Sequence, residues 1–136
     1  MSEIVREELS YDVVIVGAGP AGLSTAIKLK QLNTELSVCI LEKSSEVGAH
    51  ILSGNVFETK ALDELIPNWK DLDSPIKTDV RSEDFLFYTN NKSIKIPNFL
   101  LPKALQNHGN YIISLSNLCK WLSLIHISEP TRRGII

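Results

Sequence analysis

In the first third of the chain, the pattern of apolar and polar positions predicts a strand, then a helix, then a second strand. Residues 11–16 end in four consecutive β-branched residues, VVIV, which predicts a strand that is apolar on both faces and lies in a parallel sheet covered by helices. Apolar residues then recur at helical spacing, which predicts a helix that begins at Pro20 and stops at Asn33. Residues 36–41 predict a second strand. This is the order of a βαβ unit, whose crossover is right-handed in almost all proteins.

Periodicity weakens after residue 42, and the elements predicted there are short. Residues 43–54 are rich in serine and glycine and predict a loop, while residues 69–84 are polar and typical of turns. The sequence as a whole predicts an α/β fold, in which a hairpin and helices accompany the βαβ unit. The remaining predicted elements are a helix at 60–65, hairpin strands at 85–89 and 93–96, an apolar loop at 97–102, a strand at 111–114 and a helix at 117–125.

Composition and charge restrict the class of protein. Of the 136 residues, 43% are hydrophobic and 22% are charged, as in an ordinary globular domain. The net charge of −2 favours neither a nucleic-acid partner nor a polybasic membrane patch. Residues 1–10 predict a polar leader without the regions of a signal peptide, and no apolar run approaches the about 20 residues of a transmembrane helix. Cys39 and Cys119 lie far apart, which argues against a disulfide framework and a metal site.

The segment at 17–22 reads GAGPAG, a G-x-G-x-x-G motif between the predicted strand and helix. Gly17 allows the tight turn, Gly19 lets the backbone approach a pyrophosphate, and Gly22 allows the helix to pack closely on the sheet. The helix N-terminus offers N–H groups and a partial positive charge to the phosphates. A motif placed between a strand and a helix in this way indicates a dinucleotide site rather than a mere tight turn. The predicted phosphate-binding residues are Gly17, Ala18, Gly19, Pro20, Ala21 and Gly22.

Glu42 ends the second predicted strand and completes the dinucleotide pattern. Its carboxylate can accept hydrogen bonds from the hydroxyls of an adenosine ribose. Its charge would repel a 2′-phosphate, which disfavours a nicotinamide phosphate cofactor. The spacing alone leaves both FAD and NAD open.

Longer segments distinguish between these cofactors. The acid and the small residues after it, EKSSEVGAH at 42–50, resemble an extension found in FAD-binding proteins. Four further segments resemble the electron transfer flavoprotein–ubiquinone oxidoreductase family, and the resemblance runs from residue 11 to 121. They are GAHILSG at 48–54, ALDELIPNWK at 61–70, PNFLLP at 97–102 and NHGNYIIS at 107–114.

The resemblance implies a peripheral flavoenzyme of the mitochondrial inner membrane or the bacterial cytoplasmic membrane. Such an enzyme takes electrons from reduced electron transfer flavoprotein, passes them through a 4Fe–4S cluster and FAD, and reduces ubiquinone. It further implies that the glycines and Glu42 belong to the FAD-binding fingerprint, with Lys43, Gly48 and His50 in the same cofactor site. Residues 47–68 fall where the family places an apolar surface in one leaflet of the membrane.

The chain also departs from the family. The four cysteines of the cluster and the second FAD motif lie beyond its last residue, so residues 11–121 are expected to be the N-terminal part of an incomplete Rossmann-like FAD-binding domain. The chain alone is therefore expected to be inactive. Residues 122–136 resemble the in-frame translation of a sequencing adapter and are expected to be a non-native tail.

Several alternatives stay open at this point. Other FAD enzymes, such as a monooxygenase or a geranylgeranyl reductase, share the motif, as does a soluble NAD-dependent dehydrogenase. No catalytic residue is predicted. His50 could attach the flavin covalently or relay a proton, or it could simply form hydrogen bonds within its loop. His108 is expected to order its loop. Trp69 and the apolar residues 99–101 would contact lipid or quinone, or else cover the core.

Overall fold

The computed structural model describes residues 8–125, which fall into two compact units. The first unit contains residues 8–51 and 119–125, and the second contains residues 52–118. Most of the predicted leader and all of the predicted tail after residue 125 lie outside the described residues. None of the helices within 8–125 has the length and apolar character needed to cross a membrane.

The first unit is built on the predicted βαβ arrangement. Strand β1 (Val13–Val16) pairs in parallel with β2 (Val38–Leu41), and helix α1 (Pro20–Leu32) connects them. Proline occupies the first turn of α1, where its missing N–H costs nothing, and the N–H of Asn33 closes the helix on the carbonyl of Leu29. These observations confirm the predicted unit, with each strand two residues shorter than expected.

One face of the β1–β2 pair is open to solvent. Val14 and Val16 are 51% and 84% exposed, whereas Val13 and Ile15 are half-buried. Helix α1 contacts both strands, and successive side chains of a strand point to opposite faces. An incomplete domain is expected to leave the apolar faces of the βαβ unit partly uncovered, and the exposed side chains of Val14 and Val16 confirm this for the described residues.

The second unit centres on an antiparallel sheet in the order β3–β7–β4. Its strands are β3 (Ser53–Phe57), β4 (Thr78–Asp79) and β7 (Tyr111–Ser114). A separate hairpin pairs β5 (Phe85–Tyr88) with β6 (Ser93–Ile96). Helix α2 (Lys60–Leu65) and 3₁₀ turns at Trp69–Asp71, Asn98–Leu100 and Lys103–Leu105 complete the unit. Helix α3 (Leu115–Ile125) starts in this unit and ends in the first.

Trp69 is the largest buried side chain of the second unit. Its ring meets that of Tyr111 edge to face at 6.0 Å, and its Nε1–H donates to Asp63 Oδ1 at 2.6 Å. The core-covering role weighed for Trp69 is thereby confirmed. The other buried apolar residues of this unit are Leu62, Ile66, Ile76, Val80, Ile113 and Leu118.

The structure confirms α2, the hairpin, β7 and α3 close to their predicted bounds, but it contains two strands that the sequence did not indicate. Strand β3 occupies the end of the predicted loop at 43–54, and β4 lies inside the segment predicted as turns. Both pair with β7, more than thirty residues further along the chain, so no local pattern announces them. The expected apolar loop at 97–102 contains a 3₁₀ turn, and α3 continues into the expected tail as far as Ile125.

Candidate cofactor-binding site

The glycine loop joins β1 to α1 in three residues. Gly17 has a φ of +100°, a conformation that side chains with a Cβ rarely adopt, and its N–H donates to the carbonyl of Leu41 at 2.7 Å. Gly19 is the N-cap of α1 and has an extended backbone. The loop therefore turns directly from the end of β1 into the helix, alongside the end of β2.

Gly22 is required by the protein itself. A Cβ at this position would lie 2.1 Å from the carbonyl oxygen of Gly17 and 3.3 Å from Cγ2 of Ile15. No real Cβ approaches a backbone atom so closely, so α1 can pack against the loop and β1 only with glycine here. This is the close packing that the motif predicts for its third glycine.

Gly19 differs from Gly22 in this respect. A Cβ built on Gly19 meets no protein atom within 4 Å, and the backbone conformation is open to any residue. Neither strain nor packing within the described residues explains a glycine at this position. Free space over the backbone at a helix N-terminus is what a bound pyrophosphate requires.

Glu42 is bonded to the glycine loop. Its Oε2 accepts a hydrogen bond from the N–H of Ala18 at 2.8 Å, while its Oε1 accepts from the N–H of Ser44 at 2.9 Å and from the Ser44 hydroxyl at 2.7 Å. These donors, the Ser44 N–H first among them, lower the pKa of Glu42 to about 2. The carboxylate is therefore ionised at neutral pH, beside the loop that is predicted to hold the phosphates.

Only some of the backbone amides in the glycine loop can bind an anion. The N–H of Gly17 is bonded to Leu41 and that of Ala18 to Glu42, while Pro20 has none. The amides at the start of a helix have no carbonyl one turn earlier, and these are the ones that face an anion at its N-terminus. They belong to Gly19, Ala21 and Gly22.

The other predicted site residues follow β2. Lys43 and His50 are exposed, whereas Gly48 is buried with a φ of +85° and accepts a hydrogen bond from the N–H of Ile51 at 3.2 Å. Gly48 thus shapes the turn after Glu42. A part for these three residues in cofactor binding stays a prediction.

Ser44 was missed by the sequence analysis. A serine two residues beyond an acid can donate both its N–H and its hydroxyl back to that acid. The pair E-x-S at 42–44 carried this signal, but serine is common in loops, and the pattern does not stand out there.

Residues 1–115 match the Thi4 family. Two similar relatives are named electron transfer flavoprotein–ubiquinone oxidoreductase. The protein from Pseudomonas aeruginosa is 56% identical over 123 residues, covering 87% of this chain and 22% of the relative. The mitochondrial protein from Oryza sativa subsp. japonica is 57% identical over 122 residues, covering 87% and 20%.

More distant relatives carry the same name. The mitochondrial protein from Rattus norvegicus is 47% identical over 116 residues, covering 82% of this chain and 18% of the relative. The chain therefore spans about a fifth of the length of the curated relatives it matches.

Proposed function

The chain belongs to the Thi4 family, an FAD-binding family of Rossmann-like fold, and from this membership we propose that it forms the N-terminal part of an FAD-dependent oxidoreductase. The whole enzyme would pass electrons from reduced electron transfer flavoprotein to ubiquinone, as the names of its relatives indicate. Residues 11–121 would contribute the first part of its FAD-binding domain.

The observation that carries this proposal is the bond between Glu42 and the glycine loop. It places an ionised carboxylate next to helix-start amides, the pairing that serves the ribose and the pyrophosphate of a dinucleotide. The space over Gly19 fits a phosphate, and Gly22 cannot be replaced without a clash. When bound, FAD supplies the chemistry by accepting and releasing electrons.

The residues of this chain hold the adenosine half of that cofactor. The amides of Gly19, Ala21 and Gly22 would bind the pyrophosphate, and Glu42 would accept from the ribose. The charge of Glu42 disfavours a 2′-phosphate, and the names of the relatives favour FAD over NAD. Binding here orients the cofactor, while the rest of the protein would enclose the flavin ring.

The 4Fe–4S cluster of the proposed enzyme does not fit the residues of this chain. Such a cluster is held by four cysteine thiolates, and the chain has two cysteines. One of them, Cys119, is fully buried, and burial raises its pKa to about 11, so it remains a thiol. We therefore assign the cluster to the part of the enzyme outside these 136 residues.

A full-length chimera tests the function. Residues 11–121 of this chain would replace the matching region of the Pseudomonas aeruginosa relative, and the purified protein would be examined by its visible spectrum and by ubiquinone reduction with reduced electron transfer flavoprotein. We expect a yellow, active protein. A colourless chimera that binds NAD instead would contradict the proposal, while bound FAD without quinone reduction would favour another FAD enzyme. The 136 residues alone serve as the control and should be colourless and inactive.

Only some of the apolar residues within 47–68 can form the proposed membrane contact. Leu62 and Ile66 are buried in the second unit and cannot meet lipid. Leu52 is 84% exposed and Val56 is also exposed, so the proposed contact rests on the start of this segment. We propose that the enzyme is peripheral, held in one leaflet of the mitochondrial inner membrane or the bacterial cytoplasmic membrane.

Two matched pairs of substitutions test that location. In the chimera, Ile51→Ser with Leu52→Ser should release the protein from phospholipid vesicles in a flotation assay. Phe99→Ser with Leu100→Ser removes two residues that are 82% and 64% exposed but lie outside residues 47–68. Because residues 99–101 are the alternative lipid contact, this pair tests that alternative, and we expect the protein that carries it still to float. Release by this pair alone would move the contact to the segment after β6.

A further inference from the structure

We propose that Ser44 is a positioning residue, which acts through Glu42 to fix the glycine loop for the cofactor. The inference rests on the function proposed above and adds a residue to the same site. Ser44 donates twice to Oε1 of Glu42, and Oε2 of the same carboxylate accepts from the N–H of Ala18. The carboxylate therefore connects the turn after β2 with the loop before α1.

The number of hydrogen bonds that Glu42 can accept determines which of its oxygens is open to the cofactor. A carboxylate has about four acceptor positions, two on each oxygen. Oε1 receives the Ser44 N–H and the Ser44 hydroxyl, which also lies within hydrogen-bond distance of the Glu46 carbonyl, whereas the Ala18 amide donates to Oε2. A ribose hydroxyl would therefore be accepted at Oε2, the oxygen next to the glycine loop. Ser44 thereby determines which oxygen faces the cofactor.

Ser44 is itself held in place by a second contact. Its Oγ lies 2.7 Å from the carbonyl oxygen of Glu46, and the Glu46 carboxylate pairs with Lys120 Nζ at 3.2 Å. The hydroxyl has one hydrogen, which Glu42 and Glu46 share. Because both acceptors lie 2.7 Å from the same oxygen, both favour the same position of the Ser44 side chain. The turn at 44–46 thus supports the carboxylate through Oε1, whereas the loop amide bonds Oε2.

The chimera provides the test, with two readouts. Ser44→Ala should weaken FAD binding by roughly three- to tenfold, as expected for the net loss of one hydrogen bond that acts on the cofactor only through Glu42. It should also speed hydrogen–deuterium exchange in the peptide that contains Ala18, measured by mass spectrometry without cofactor. Ser44→Thr keeps the hydroxyl and should restore both values. Ser45→Ala, a change at the exposed neighbour, should alter neither.

A double-mutant cycle separates positioning from general destabilisation. In a Glu42→Ala background, Ser44→Ala should have little further effect on FAD affinity, because Ser44 acts through Glu42. Equal and additive losses in both backgrounds would overturn the proposal.

The exchange measurement keeps this proposal separate from the proposed function. A chimera that binds no FAD would refute the function, yet faster exchange in Ser44→Ala would still support the link from Ser44 to the loop. Exchange equal to that of Ser45→Ala would overturn the proposal whether or not FAD binds. Faster exchange with unchanged FAD affinity would overturn the positioning role.

Discussion

The two units place their polar contacts differently. In the first, charged hydrogen bonds gather at the glycine loop around Glu42, while Val16 on the neighbouring strand stays exposed. In the second, Trp69 is buried at the centre, with Asp63 and Tyr111 against it. The polar contacts of the first unit thus gather at the proposed binding site, and those of the second at a core. Substitutions at Gly19 and Glu42 in the first unit should change cofactor affinity, whereas those around Trp69 in the second should change the free energy of unfolding.

The largest expected effect concerns the two glycines that the structure distinguishes. In the chimera, Gly19→Val should abolish flavin binding and leave the fold intact, because the added side chain meets only the space proposed for the pyrophosphate. Gly22→Ala should lower thermal stability as well, since its Cβ collides with the Gly17 carbonyl. Visible spectra and thermal unfolding measure the two effects. A Gly19→Val protein with a full flavin spectrum would refute the phosphate site.

The core of the second unit supplies the next prediction. Trp69→Ala should lower the free energy of unfolding of the chimera by about 3–5 kcal/mol, because it leaves a large cavity against Tyr111. Trp69→Phe, which keeps most of the ring but removes the N–H that donates to Asp63, should cost less. Denaturant unfolding gives both values. Equal costs for the two variants would show that the hydrogen bond, and not the packing, is the main contribution.

Removal of the Glu42 carboxylate should have a smaller effect on cofactor binding. Glu42→Ala in the chimera should weaken FAD binding by about 1–3 kcal/mol, because a ribose acceptor and the bond to the Ala18 amide are both lost. Fluorescence titration with FAD measures the change. Unchanged affinity would remove Glu42 from the site.

The smallest expected effect is a loss of folding stability at acidic pH. The pKa of Glu42 lies at about 2 in the folded chain, below its ordinary value of 4.5, so the bonds to this carboxylate stabilise the fold above pH 4.5 and are lost as the pH falls towards 2. Hydrogen bonds from Ser37 lower the pKa of Asp12 as well, with the same sign. Stability measured from neutral pH down to 2 should decline only at the acid end. In Glu42→Gln this decline should be smaller, and an unchanged decline would contradict the assignment.

The contrast between the two units also explains which features could be predicted from the sequence. Gly17, Gly22 and Glu42 were predictable, because a tight turn, a close approach and an acid after a strand leave local signs. Strands β3 and β4 were not, because both depend on pairing with β7, and β3 contains Gly54 in a left-handed conformation at a register shift. The exposure of Val16 agrees with the expectation of an incomplete domain, because only distant parts of a protein can cover the second face of an apolar strand.

The most direct test is a crystal structure of the chimera with FAD. We expect a ribose hydroxyl of the adenosine within hydrogen-bond distance of Glu42 Oε2, and the pyrophosphate over the amides of Gly19, Ala21 and Gly22. An adenosine ribose bound away from Glu42, or phosphates held elsewhere than at the start of α1, would contradict it.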